Sequence, residues 1–168
     1  MIDTTTFDTL AAFPQRLAEH YAAIPARFRH WTPPSWDGIP SEAFTAIEQV
    51  CHVRDIEIDG YHVRFARTLR ENTPDLPDVD GFALARARAY ARSDSDTAFA
   101  AFSTARAQTL AMIAAWSEDE LARRALFEKR PASLRGLVHQ LCSHDQQHLA
   151  GMQWLLAQIA AHHPHEWR

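Results

Sequence analysis

The chain has 168 residues, is 46% hydrophobic and 23% charged, and carries a formal net charge of −4, the profile of one soluble globular domain large enough to bury a core. Lys129 is the only lysine, so there is no basic stripe of the kind a nucleic-acid binder needs. Two cysteines make no disulfide framework, no apolar run reaches the ~18 residues of a membrane span, and Met1 to Thr6 has no signal-peptide pattern, so a cytoplasmic location is expected.

Few glycines and abundant Ala, Leu, Arg, Glu and Gln favour helix throughout. In the first region, Phe7 to His30, Leu10, Phe13, Leu17, Tyr21, Ile24 and Phe28 recur at helical steps. Pro14 and Pro25 should break or kink it. Trp31 to Pro40 reads as a loop, and its two tryptophans, Trp31 and Trp36, are candidates to line a site entrance. Ser41 is a candidate cap for a second helix running to about Asn72, where Thr73-Pro74 stops it. Phe82 to Arg92 is a short helix capped by Asp80. Asp94 or Asp96 caps a long helix to Trp116, and Ser117 and Glu120 form a capping box for a brief one. Ala125 to Pro131 is a connection, and Ser133 caps the last long helix, which ends near Ala161. The expectation is an all-α, single-domain chain over 1–168, with four long helices, short extra helices in the connections, and 162–168 as a mobile tail. Long connections allow sequential helices to lie parallel.

The last helix carries an inward stripe of Leu134, Leu137, Leu141, His144, His148, Met152 and Leu155. Two histidines four apart share a face, and a shared ion would relieve the cost of burying both imidazoles; hydrogen-bonded core histidines are the alternative. On the second helix Glu48, His52, Asp55 and Asp59 form one polar stripe. There His52 is a candidate third ligand, with Asp55 or Asp59 accepting its other ring N–H from outside the coordination sphere. Three histidines without a fourth protein ligand describe an open site; a fourth, Asp55 or Glu48, would mark a structural one. Cys51 and Cys142 point away from the neighbouring histidines and are read as small buried residues. A di-iron carboxylate site is excluded because no Glu-x-x-His motif occurs on two helices.

The order of these elements, with His52 in Glu48 to Asp55 and the pair His144 and His148 in Leu141 to Gly151, resembles the DinB/YfiT family of metal-dependent helical bundles. The resemblance spans roughly Phe7 to Ile159, with a departure at Gly151, which stands three rather than two residues after the last histidine. It implies an up-down-down-up four-helix bundle, often a homodimer, holding zinc, nickel or another divalent ion through His52, His144 and His148. It also implies a low-molecular-weight thiol cofactor in some members, transferred to a small-molecule electrophile or used in isomerisation. The expected function is therefore divalent-metal-dependent, thiol-dependent transferase chemistry, with hydrolysis by an activated water behind it. The alternative is a non-catalytic, stress-associated binding or dimerisation bundle with a structural metal or none.

Overall fold

The computed structural model describes residues 1–165. Helix α1 (Thr4–Ala23) is capped by Asp3, whose side chain accepts from the Thr6 amide. Pro14 lies inside α1 without ending it, and the helix stops at Ile24, before Pro25. Helix α2 (Ala46–Asp55) begins at Thr45, four residues after the expected Ser41, because Glu48 reaches back to the Thr45 amide at 2.9 Å. It runs on through a π-helical segment, Ile56–Tyr61, into α3 (His62–Arg70). Asp80 caps α4 (Gly81–Ala87), Asp94 caps α5 (Ser95–Ala115), and the Ser117/Glu120 capping box starts α6 (Glu118–Leu121). Ser133 caps α7 (Leu134–His162).

The expected connection after α6 is instead a hairpin of β2 (Arg124–Phe127) and β3 (Arg130–Ser133), joined by a parallel pairing to the two-residue β1 (Asp75–Leu76). Its strands are too short to show an alternating pattern, and Glu128 and Lys129 turn the chain with positive φ. Residues 166–168 of the expected tail lie outside the described residues. Its first residues are packed: His162 ends α7, and the His163 ring lies 4.8 Å from Phe28 and 5.5 Å from Trp31.

Contacts between helices set their directions. Phe13 meets Phe102 and Tyr21 meets Phe99, so α1 and α5 are antiparallel. Glu57 pairs with Arg106 and His62 with Thr109, so the second long helix runs parallel to α5. Thr6 reaches His139 near the start of α7 and Phe28 reaches His163 at its end, so α1 and α7 are parallel. The result is the up-down-down-up bundle. The parallel pair is possible because residues 71–94 cross the bundle's length as β1 and α4.

The apolar core falls into two clusters, one around Phe13, Phe102, Met152 and Ile159, the other around Leu10, Phe65, Ile113 and Leu137. A buried polar layer lies between them. Arg106, 1% exposed, uses all five of its N–H donors there. Nε and Nη2 donate to Glu57 at 2.8 Å each, Nη1 and Nη2 to Asp145 at 2.7 and 3.1 Å, and Nη1 to the Leu10 carbonyl at 2.9 Å. Thr109 donates to Glu57 at 2.5 Å and accepts from His62 Nε2 at 2.8 Å. One guanidinium faces two carboxylates, and burial pushes Asp145 up to about 7 even against the pull of Arg106. The π-helical turn holds Glu57 at this layer, inside a stretch whose isoleucines otherwise read as core.

Candidate metal centre

The metal-site candidates lie beside this layer, where α2 and α7 cross antiparallel. The structure brings His52, His144 and His148 together, with His52 and His148 buried and His144 at the wall of a cavity. His144 Nε2 stands 3.3 Å from His52 Nε2 and 3.2 Å from His148 Nε2. Glu42, in the loop before α2, completes the group: its Oε1 is 3.5 Å from His52 Nε2 and its Oε2 3.2 Å from His148 Nε2. One donor atom from each of these four residues lies within 4.8 Å of every other.

The spacing fits an ion. Four donors held tetrahedrally about 2.0–2.1 Å from zinc stand about 3.3–3.4 Å apart. The tautomers fit as well. Gln49 is oriented by its neighbours, because its Oε1 accepts from Ser41 Oγ at 3.2 Å and its Nε2 donates to the Phe44 carbonyl at 3.4 Å. That amide oxygen faces His148 Nδ1 at 2.7 Å, so Nδ1 carries the proton and Nε2 presents a lone pair to the cluster. Burial pushes His144 well below the usual histidine range and lowers His148 too, so both favour the neutral, metal-binding form. Burial raises Glu42, but its contacts with His148 and His52 outweigh it and hold the carboxyl well below its usual range. The lone pair on His148 Nε2 and the Glu42 carboxylate 3.2 Å away repel unless a cation lies between them.

Two glycines make the geometry possible. A Cβ on Gly81 would stand 2.6 Å from His52 Cε1 and 2.8 Å from Nδ1, so the start of α4 can press on this ring only as glycine. A Cβ on Gly151 would stand 2.3 Å from Ser41 Oγ and 2.8 Å from Gln49 Nε2. The displaced glycine of α7 thus clears the loop and the amide that orient His148.

Several expectations change. Neither Asp55 nor Asp59 serves His52, whose buried Nδ1 has no hydrogen-bond partner among the described residues. The Asp55 carboxylate accepts from Tyr90 at 2.6 Å and pairs with Arg54 at 2.6 Å and Arg88 at 2.8 Å. Asp59 pairs with the same Arg88 at 2.7 Å. Residues 52 and 55 share a broad stripe, but Arg54 on α2 itself, with Arg88 and the Tyr90 phenol just beyond α4, claim the carboxylate first. Glu48 is spent on the α2 cap. Trp36 stacks on Trp154 and Trp31 packs on Phe28, and neither lines the cavity beside the histidines. That cavity, about 370 Å³, is walled by Glu42, His52, Tyr61, Arg64, Phe127 and His144 among others. Cys51 is buried and Cys142 partly so; both are free.

Gln49 and Glu42 escaped the sequence reading. Gln49 had a signal, as a polar residue one turn before His52 on a face otherwise apolar. Glu42 had none, because a loop carries no period. Gln49→Leu keeps the volume but removes the acceptor for His148 Nδ1–H, and we expect metal affinity to fall about 10–100-fold, read by competition with a chromogenic chelator. An unchanged affinity would show that Gln49 does not orient the ring.

Among the described residues no helix is long and apolar enough to cross a membrane. The chain is similar in structure to YfiT from Bacillus subtilis, described as a probable metal-dependent hydrolase with an unusual four-helix bundle topology. The TM-score is 0.81 at 19% identity, over 95% of this chain and 91% of that one. No match is found among curated proteins. The sequence model of the DinB superfamily matches residues 9–152, nearly the whole bundle. With that match beside the three-histidine cluster and the up-down-down-up topology, the chain belongs to the DinB superfamily.

Proposed function

We propose that this protein is a divalent-metal-dependent enzyme in which His52, His144 and His148 hold the ion, zinc or nickel, and a small thiol is transferred to an electrophile. The observation that carries the reading is the convergence of three imidazole Nε2 atoms, 3.2–3.3 Å apart at the contacts with His144, on the wall of a cavity sized for a small molecule. A divalent ion there supplies Lewis acidity, which favours the thiolate over the thiol near neutral pH. The chain's own residues do the rest. Gln49 fixes the His148 tautomer, and Tyr61, Ile56, Val79 and Phe127 give the cavity an apolar side for the electrophile. Arg64, held by Asp78 at 2.9 Å, contributes a cation to the wall.

Hydrolysis is the second reading, favoured by Glu42, a carboxylate beside the ligand nitrogens that could take a proton from an attacking water. The test is a screen of metal-loaded protein against thiol–electrophile pairs and against simple esters and amides, with His148→Ala as the blank. Thiol conjugation that depends on metal and on His148 supports the transferase. Ester or amide cleavage with the same dependence moves the assignment to hydrolase. Neither activity, in protein that binds its ion, would sink both and leave a binding module with a structural metal.

A further inference from the structure

We infer that Glu42 is a displaceable fourth ligand, closing the metal site at rest and giving way to an incoming monoanionic donor. This rests on the metal reading above. Three of the four convergent side chains come from long helices, and two of these are buried. Glu42 differs. It sits in the non-helical segment 29–45 that leads into α2, and its side chain is 36% exposed. The loop's own bond holds its backbone: Phe44 N donates to the Glu42 carbonyl at 2.8 Å. Among the described residues its carboxylate is paired with the two histidines alone. A side-chain rotation can therefore withdraw it without moving a helix or breaking a backbone bond.

The carboxylate also lines the cavity that leads to His52 and His144, so the position it leaves is the one a ligand entering by that route meets. Exchanging one monoanion for another keeps the charge of the buried site constant. A thiol exchanges as thiolate, with its proton passing to solvent. Arg64 on the same wall favours an anion, while the exposed Glu128 and Asp78 lie beside it on the same cavity. The internal carboxylate is an ever-present competitor, and it lowers the apparent affinity for an outside anion by the fraction of time it occupies the site.

The test uses the full chain loaded with cobalt(II), which reports coordination through its visible spectrum. Wild type, Glu42→Ala and Glu42→Gln are titrated with azide and with 2-mercaptoethanol, with melting curves to confirm folding. Removal of the carboxylate should change the cobalt spectrum and loosen cobalt by about tenfold or more, and should tighten both probes by about tenfold or more relative to wild type. Tighter azide without any thiol binding would uphold displacement and overturn the thiol chemistry proposed above. Unchanged spectra and affinities in folded variants would overturn Glu42 as a ligand. Probe binding to Glu42→Ala with none to wild type at any concentration would make Glu42 a permanent ligand, and displacement would fall.

Discussion

Arg106→Met is expected to destabilise the fold by about 3–5 kcal/mol, since it leaves two buried carboxylates without their counter-ion. For a chain of this length that lowers the melting temperature by roughly 6–20 °C. Glu57 and Asp145 are each 1% exposed and cannot recruit water without opening the bundle. The Leu10 carbonyl loses a donor at the same time. The arginine's worth lies in neutralising what surrounds it, so a triple variant, Arg106→Met with Glu57→Met and Asp145→Leu, should regain most of the loss. Chemical denaturation of the three proteins checks this. A single variant within about 1 kcal/mol of wild type would mean that the carboxylates are neutral in the folded state and that the layer is not the ionic one described here.

His148→Ala should abolish stoichiometric metal retention. The wild-type chain, dialysed and measured by elemental analysis, should keep about one ion, and the variant almost none. Loss of a group that only orients a ligand already costs about 10–100-fold, and the loss of a ligand costs at least that. The effect should also appear as stability: zinc at a hundred times its dissociation constant adds about 2.7 kcal/mol to a protein that binds it only when folded, and the variant should show no such gain. His139→Ala is the control. Its ring meets Thr6 on the exposed face of the bundle, away from the cluster, so the ion should stay. A His148 variant that still holds one ion would break the three-histidine reading, whatever the activity screen returned.

Four helix starts were legible in the sequence because capping is a local event, whereas α1 begins at Thr4, ahead of the expected Phe7, and Thr45 caps α2 in place of Ser41. Asp80, Asp94, Ser117 and Ser133 each cap the helix that follows them through a bond to a backbone amide three residues on. The His144 and His148 pair could also be read, since two residues one turn apart share a face in any straight helix. The buried charge layer escaped the sequence reading although it left a signal: Arg106 stands in line with the buried Phe102, Thr109 and Ile113, and Asp145 with Leu141 and Leu149. A charge inside an apolar stripe implies a partner without naming it.

Other features needed the tertiary structure. Periodicity places side chains around one axis but cannot say which face of another helix they meet. It ranked Asp55 with His52, while the packing of α4 gave Asp55 to Tyr90 and Arg88 and pressed Gly81 against His52. The hairpin was invisible because four-residue strands are stabilised by pairing with each other and with β1, not by their own propensity. Glu42 was invisible because a loop residue's position is set by the elements at its two ends. By itself the sequence determined an all-α chain with a histidine pair facing inward. The antiparallel crossing of α2 and α7 decided that His52 completes the cluster, and the loop anchored at Thr45 decided that a carboxylate closes it, because both depend on contacts between residues far apart in the chain.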